Sequence, residues 1–298
     1  MKGLTGGEAA FLLLTCKLGN PERKPLTVAQ LRELFSRFQQ LKREEAPRDI
    51  TATDLMTIGY GAQAAAHIVE LLGEEMLLQR YLEKGRKVNC LPITRATETY
   101  PSLLRNRLGL DSPGVLWYKG DISILETPMI ALVGSRDLAE SNRIFAETVG
   151  REAARQGITL VSGNARGADK TAQDACLQAG GKVISVVADS LAKHRTRENI
   201  LYLSEEDYDE EFSAQRALRR NRVIHALGIK TFVAQCNLGI GGTWDGTVKN
   251  LQKNHSPVFC YNDGSAAVAE LRELGANTVD LAQLSDFAAL QPTAQSFL

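Results

Sequence analysis

The chain has 298 residues, which is enough for one sizeable α/β domain and a smaller one. Its 35 basic and 35 acidic side chains cancel to a formal net charge of zero, so overall charge indicates neither a nucleic acid nor a membrane as a partner. Only a local cluster of charge could indicate such a partner.

Two features of the sequence indicate the cellular compartment in which the protein is expected. The five cysteines are scattered and form no C-x-x-C pair, which is typical of free thiols in a reducing environment. The apolar run that follows Glu8 ends at Lys17 and is too short to cross a bilayer. It also lacks a small-residue cleavage pattern. We therefore expect a cytoplasmic protein that has no membrane partner.

Residues 1–84 predict a small all-helical N-terminal domain, because apolar residues recur at helical spacing. Thr27 and either Thr51 or Thr53 are predicted N-caps. Within this domain, residues 55–68 predict two short helices joined by a Gly-Tyr-Gly turn, a candidate helix-hairpin-helix. Such a turn can offer backbone N–H groups to a nucleic-acid phosphate. It can also be a tight turn between packed helices, which we favour because the turn contains no lysine or arginine.

Residues 85–276 predict an α/β domain with a Rossmann-like, doubly wound and mostly parallel sheet. It begins with short extended pieces at 88–91, 100–104 and 114–120, where prolines disfavour a long helix. Residues 277–298 form a short C-terminal tail, in which we expect no winged-helix domain. The predicted strands that alternate with helices lie at 129–133, 158–161, 183–187, 200–203, 231–234 and 258–260.

Four glycine- or arginine-rich segments fall at the same edge of the predicted sheet, where open parallel sheets bind their ligands. They combine small hydroxyl groups, backbone N–H groups near helix starts and arginines, which together suit a phosphate. One of them predicts a helix that begins with Thr243 as its N-cap. Glycine needed only for tight packing would explain any single loop, but it explains all four together less well. The candidate phosphate-binding residues are Gly134, Ser135, Arg136, Ser162, Gly163, Asn164, Arg166, Gly167, Arg220, Asn221, Arg222, Gly241, Gly242 and Thr243.

Four arginines between positions 216 and 222 are open to two interpretations. They could form a solvated helix face that pairs with the acidic segment 205–211, although exposed ion pairs are worth little. They could instead bind phosphates, since arginine makes bidentate contacts that lysine cannot make. In either case, we expect Arg219 to meet solvent or the acidic segment.

No catalytic residue, metal ligand or cofactor is predicted. The four histidines lack metal-ligand spacing with one another or with cysteine. Ser135 does not stand in a G-x-S-x-G elbow, and neither a Walker lysine motif nor G-x-G-x-x-G follows the strand before it. Ordinary ATP or NAD binding is therefore disfavoured.

The order and spacing of these segments resemble the Smf/DprA family of DNA-processing proteins, which belongs to a wider superfamily with the LOG-type nucleotide hydrolases. The chain departs from the family where Ala217-Leu218 replaces the usual Phe-Pro, and it is identified as a divergent, shortened member. The matching segments lie at 99–104, 113–120, 131–136, 161–169, 203–205 and 220–224.

The resemblance implies a domain that binds single-stranded DNA, forms a homodimer and loads RecA during transformation. DNA binding in DNA processing or recombination, without an enzymatic activity, is therefore the leading hypothesis. The resemblance further implies a DNA-phosphate pocket that is lined by Arg136, Arg166, Arg220 and Arg222 and by the backbone amides of Gly134, Gly163 and Gly167.

The alternative is a nucleotide-sensing or nucleoside-monophosphate-hydrolysing domain, for instance in phage defence. The LOG-type hydrolases carry a catalytic glutamate at the position that Gly246 occupies here. Without that carboxylate, an N-glycosidic bond lacks an acid/base partner unless Asp245 takes its place. The hydrolase hypothesis therefore depends on Asp245.

Overall fold

Nine strands form a single sheet in the computed structural model, which describes residues 4–39 and 50–292. Residues 40–49 of the predicted helical domain and 293–298 of the predicted tail lie outside the described residues. The strands are β1 Leu91–Thr94, β2 Val115–Lys119, β3 Met129–Val133, β4 Thr159–Ser162, β5 Val183–Val186, β6 Ile200–Ser204, β7 Thr231–Val233, β8 Val258–Tyr261 and β9 Asn277–Val279.

Within the described ranges, five helices precede the sheet and six lie between its strands. Those before the sheet are α1 Gly6–Thr15, α2 Val28–Phe38, α3 Ala52–Thr57, α4 Ala62–Leu72 and α5 Glu75–Lys87. Those between the strands are α6 Ser102–Leu108, α7 Glu140–Arg155, α8 Ala168–Gln178, α9 Ala214–Leu227, α10 Gly241–Lys253 and α11 Ala266–Glu273.

The strand order β1-β2-β6-β5-β4-β3-β7-β8-β9 confirms the predicted doubly wound, mostly parallel sheet. Only the pairings β1–β2 and β2–β6 are antiparallel among the described strands. From β3, the chain adds β4, β5 and β6 on one side, and it then returns to add β7, β8 and β9 on the other side. The carboxyl ends of β3 and β7 therefore flank the point where the strand order reverses, which is where such sheets bind ligands.

Helices cover both faces of the sheet, so its central strands β3 to β7 are buried at every position. All five residues of β3 are buried, and they alternate between two core clusters because successive side chains of a strand point to opposite faces. Helices α7 and α8 pack on one face, and α6, α9 and α11 pack on the other. The close crossing of α7 and α8 requires Gly150, since a Cβ there would lie 2.1 Å from the carbonyl oxygen of Ala172.

The N-terminal helices share the core of the sheet. Leu12 of α1 and Tyr81 of α5 are buried in the same cluster as Trp117 of β2. The rings of Tyr81 and Trp117 meet edge to face, with 5.5 Å between their centroids. A separate cluster around Leu31 and Leu55 holds α2, α3 and α4 together. The sequence also places the starts of these helices: Thr27 and Thr51 are N-caps with complete capping boxes, as predicted.

The predicted helix-hairpin is present as α3, a turn and α4. Gly59 has φ +91, which favours glycine at the turn. The guanidinium of Arg37 in α2 donates to the carbonyl oxygens of Ile58 (3.3 Å) and Gly59 (2.5 Å), and it lies 4.6 Å from the centroid of the Tyr60 ring. An arginine from a neighbouring helix therefore closes the turn on its carbonyl side.

Two sequence predictions for the segment between α5 and β2 are wrong. Residues 100–104, predicted as extended, enter α6, because Pro101 stands directly before the first helical residue, where its fixed φ is compatible with a helix. Residues 88–91, also predicted as extended, mostly follow the end of α5, and β1 begins at Leu91.

The tail after residue 276 contributes β9 to the edge of the sheet. Among the described helices, none has the length and apolarity that crossing a bilayer requires.

A buried carboxylate joins the N-terminal helices to the sheet. The backbone N–H of Leu18 donates to Asp207 Oδ2 at 2.9 Å, and Asp207 follows β6. Burial raises the pKa of Asp207 to about 6, although hydrogen bonds to the carboxylate oppose the rise. The folded state therefore binds this proton more tightly than the unfolded chain does. The contribution of this group to stability is present below about pH 4 and is lost as the pH rises through about 6.

Replacing Asp207 with Asn should remove this pH dependence, because the amide oxygen can still accept from Leu18 and carries no charge. Relative to the parent protein, the free energy of unfolding of Asp207→Asn should rise by about 2–3 kcal/mol between about pH 4 and about pH 7. Urea unfolding at a series of pH values measures the difference. A difference that stays constant across this range would show that Asp207 does not titrate there.

Candidate functional site

A cavity of about 400 Å³ opens at the carboxyl ends of β3 and β7, where the strand order reverses. The loop after β3, the loop after β4, the start of α10 and one face of α9 surround it. Its lining residues are Val133, Gly134, Ser135, Arg136, Ala165, Asp169, Ala214, Ala217, Leu218, Arg220, Asn221, Ile224, Cys236, Asn237, Ile240, Gly241, Gly242 and Thr243. We call this cavity the crevice.

The loop after β3 is held by its neighbours on both sides. The backbone N–H of Ser135 donates to the carbonyl oxygen of Gln235 at 2.9 Å, and the carbonyl oxygen of Ser135 accepts from Ala168 at 3.0 Å. A Cβ at Gly134 would lie 2.4 Å from that of Ala168, so the loop approaches α8 closely. Arg136 extends from this fixed turn as an exposed side chain that lines the crevice.

The loop after β4 contributes less to the lining than the sequence suggested. Ser162 is fully buried and accepts a hydrogen bond from Gln173 Nε2 at 2.8 Å, so it belongs to the sheet–helix packing. Asn164 has φ +59, within the left-handed region. Gly167 has φ +84, and a Cβ there would lie 2.4 Å from the carbonyl oxygens of Ser135 and Arg136. Of residues 162–167, Ala165 is the one that lines the crevice.

Arg166 lies at the rim and does not line the crevice. Its side chain is 78% exposed, and its Nη2 is 3.0 Å from Asp137 Oδ1. It can reach a bound molecule only by leaving this exposed pair, which is worth about 0–1 kcal/mol.

The floor of the crevice is a buried guanidinium. Arg220 is 6% exposed, and its Nη1 donates to the carbonyl oxygen of Val186 at 2.8 Å. Gly163 makes room for it, since a Cβ at that position would lie 1.6 Å from Nη1. The Nε of Arg220 is buried and has no hydrogen-bond partner among the described residues.

Arg220 and Asp169 carry opposite charges at this floor. Burial lowers the pKa of Arg220, although Asp169 opposes the shift, and arginine stays protonated in proteins. Burial raises the pKa of Asp169, although Arg220 opposes that shift. Asp189, which does not line the crevice, also raises the pKa of Arg220. Among the lining residues, the two guanidinium groups of Arg136 and Arg220 accompany one carboxylate, Asp169. The floor therefore favours an anion.

The start of α10 adds backbone donors to the crevice. The helix begins at Gly241, and its N-cap, Ile240, provides no side-chain hydrogen bond. The prediction that Thr243 is the N-cap is wrong, because Thr243 lies in the first turn and its Oγ1 donates to the carbonyl oxygen of Gly134 at 2.9 Å. The first N–H groups of a helix have no partner within it. Those of Gly241 and Gly242 therefore mark the positive end of the helix at the crevice.

Helix α9 separates the arginines that the sequence grouped together. Residues two positions apart lie about 200° apart around a helix, so Arg220 and Arg222 cannot share a face. Arg222 points away from the crevice, donates to the carbonyl oxygen of Asp111 at 2.8 Å and pairs with Glu205. Arg219 pairs with Glu206 at 2.5 Å, as expected from the nearby acidic segment.

Asn221 does line the crevice. Its Nδ2 donates to the carbonyl oxygen of Gly242 at 3.1 Å, which links α9 to the start of α10.

The position of the hydrolase glutamate is part of a helix crossing. A Cβ at Gly246 would lie 3.3 Å from both Asn221 Cβ and His225 Nε2 of α9. Asp245 lines a different cavity and pairs with Lys249 at 2.7 Å. Among the residues that line the crevice, Asp169 is therefore the one carboxylate. Within the described chain, no cluster of three or more His, Cys, Asp or Glu residues is arranged to hold a metal ion.

Sequence reasoning missed the apolar rim of the crevice. Leu218 is 49% exposed and Ile240 is 70% exposed, and both line the opening. The sequence predicts Leu218 as part of the apolar stripe of its helix and as a departure from the family pattern, but its side chain is half exposed. The solvent exposure of both side chains depends on tertiary structure. The rim offers apolar contact beside the anion-binding floor.

Substituting Gly163 tests the packing of the floor. In Gly163→Ala, the new methyl group would collide with the guanidinium of Arg220, so the free energy of unfolding should fall by about 1–3 kcal/mol. Gly242→Ala is the matched control, because its methyl group would meet only the flexible end of Leu218 at 2.8 Å. Urea unfolding of both variants measures the difference. Equal stability of the two would mean that Arg220 does not occupy this position.

Two comparisons of sequence match the chain to known proteins. A family model described as DNA recombination-mediator protein A matches residues 92–280. The DNA processing protein DprA of Bacillus subtilis is 28% identical over 229 residues, which represent 70% of this chain and 75% of that protein.

Solved structures match the fold. The X-ray structure of DprA from Streptococcus pneumoniae is 24% identical and has a TM-score of 0.74, with coverage of 97% of this chain and 99% of that chain. A structure of DprA from Helicobacter pylori, described for its single-stranded DNA binding mode, is 24% identical and has a TM-score of 0.55. That match covers 66% of this chain and 94% of the other.

Proposed function

Because the chain belongs to the DNA recombination-mediator protein A family, we propose that its crevice binds the phosphates of single-stranded DNA in DNA processing and recombination. The observation that carries this proposal is the buried Arg220 at the floor of the crevice, with its unpaired Nε. A buried charge is costly unless it is paired, and Asp169 and the Val186 carbonyl satisfy it only in part. An anion in the crevice would complete the set of partners around the Arg220 guanidinium.

The remaining donors suit a phosphate. Arg136 is exposed at the crevice and carries a second guanidinium, which can bind two phosphate oxygens at once. The N–H groups of Gly241 and Gly242 add the positive end of α10. Together with Arg220 of α9, these groups provide donors from three separate elements around one anion.

A single strand suits this crevice better than a duplex. Single-strand binders combine a positive groove with side chains that contact unstacked bases. Here the exposed Leu218 and Ile240 stand at the opening, beside the phosphate donors. In a duplex the bases are stacked and paired, so only the phosphates would be reached. The Helicobacter pylori relative, described with single-stranded DNA, supports the same assignment.

The proposed function is binding without catalysis. The residue at the position of the hydrolase glutamate is Gly246, and Asp245 lines a different cavity. Asp169 is buried beneath the loop after β4, where its Oδ2 accepts from the backbone N–H of Ala165 at 3.2 Å. Its role in this proposal is to balance Arg220. A homodimer and a RecA partner, which the family resemblance implies, stay predictions.

Arg136→Ala should weaken binding of single-stranded DNA by roughly 1.5–3 kcal/mol, the range for a hydrogen bond to a charged group. The matched control is Arg151→Ala, which removes the same charge from α7, where the guanidinium contacts Thr148 of its own helix. The control should cost well under about 1 kcal/mol. Fluorescence anisotropy with labelled single-stranded and duplex DNA at one salt concentration measures both, and melting curves check folding. Equal losses in the two variants would place the DNA elsewhere.

The same preparation separates binding from the hydrolase alternative. We expect no free base to be released when it is incubated with a panel of nucleoside monophosphates, because the crevice lacks a positioned acid/base pair. Chromatography of the mixture measures the release. Free base that appears with the parent protein and disappears with Asp245→Asn or with Asp169→Asn would overturn the proposal in favour of nucleotide hydrolysis.

A further inference from the structure

A second cavity, of about 610 Å³, lies between α6, α9 and α10 on the other side of the α9–α10 contact. Most of the charged residues in its lining are basic. Arg107 comes from α6, Arg222 from α9, and Lys249 and Lys253 from α10, while Asp111 and Asp245 are the carboxylates in the lining. The cavity is thus built from the same two helices as the crevice.

The basic side chains are only partly neutralised. Arg222 pairs with Glu205, and Arg219, which also lines the cavity, pairs with Glu206. Arg107 Nη1 donates to the carbonyl oxygens of Ala226 (3.1 Å) and Gly228 (2.5 Å), which carry no full charge. Lys249 pairs with Asp245 at 2.7 Å. Lys253 is exposed, and no ion pair is found for it within the described residues. The cavity therefore holds more positive than negative charge.

His255 lies among these basic side chains. His255 is buried, and its Nδ1 lies 3.1 Å from the carbonyl oxygen of Arg107. Burial lowers the pKa of His255, and the charges of Lys253, Arg107 and Arg222 lower it further. Three cations of the cavity therefore lie close enough to His255 to lower its pKa.

His225 presents an unused polar atom at the same place. It is 1% exposed, and its Nδ1 lies 3.3 Å from Thr231 Oγ1. Its Nε2 is buried and has no hydrogen-bond partner within the described residues. His225 and its neighbour Gly246 both line the cavity, so this buried nitrogen lies beside the cavity wall.

The crevice and the second cavity are neighbours on one helix. Leu218 lines both of them. Besides Leu218, the residues Asn221 and Ile224 of α9 line the crevice, whereas Arg222 and His225 of α9 line the second cavity. These sets form adjacent stripes along α9, since residues three and four positions apart share a helix face. An exposed leucine therefore separates two basic depressions.

We propose that the second cavity holds another phosphate of the same DNA strand, so that the strand crosses Leu218 between two phosphate sites. This inference rests on the proposed function of the crevice. Because both cavities include Leu218 in their lining, a flexible single strand can contact both of them. The ligand class is a polyanion with regularly spaced phosphates, and the apolar contact at Leu218 falls where a base would lie.

The test compares two lengths of oligothymidylate with the parent protein and the double variant Lys249→Gln, Lys253→Gln. A strand of about 12 nucleotides can occupy both sites, whereas a 5′-phosphorylated dinucleotide cannot bridge them. For the longer strand, the variant should reduce the log–log salt slope of affinity by about 0.7, because the contact with one phosphate is lost. The loss of affinity for the longer strand should exceed that for the dinucleotide by at least about threefold at the lowest salt.

The double variant Lys84→Gln, Lys87→Gln is the control, because it removes the same charge from exposed positions on α5 that line neither cavity. Equal effects of the two double variants on the longer strand would overturn the second phosphate site and leave the crevice proposal intact. A parent protein that binds neither oligonucleotide would overturn both. Melting curves of the variants confirm that they are folded.

Discussion

The buried guanidinium of Arg220 is the interaction on which the crevice depends. It reaches the sheet from α9, donates to the end of β5 through the Val186 carbonyl and fills the space that Gly163 leaves after β4. One side chain thus connects three elements at the edge where the strand order reverses. Its charge is balanced in part by Asp169. The same contacts that fix the loops also place a positive charge at the floor of the crevice.

Most of the sheet could be predicted from the sequence because its central strands are buried on both faces. Strands such as β3 are apolar at every position, and each lies between helices with clear periodicity. The errors lie at the N-terminal edge of the sheet. There, Pro101 was interpreted as a helix breaker, although a proline just before a helix is favourable. Local sequence did not distinguish these two uses of proline.

The candidate site could be predicted less completely, because its geometry depends on helix faces and on long-range contacts. The sequence identified the glycine loops and the arginines, but residues 220 and 222 point in different directions once α9 forms. Thr243 reaches back to Gly134 across 109 positions, a contact that no local pattern indicates. The role of Gly246 in the crossing of α9 and α10 is also a tertiary property. Arg37, which closes the helix-hairpin turn from α2, is a further example.

Binding of a DNA phosphate at the start of α10 and beside Arg136 is measured most directly by titration of the ¹⁵N-labelled protein with oligothymidylate, followed through backbone amide chemical shifts. We expect the largest changes at Gly241, Gly242 and Arg136, whose backbone surrounds the crevice. Changes confined to the helix-hairpin turn at residues 59–61, with the crevice amides unaffected, would contradict it.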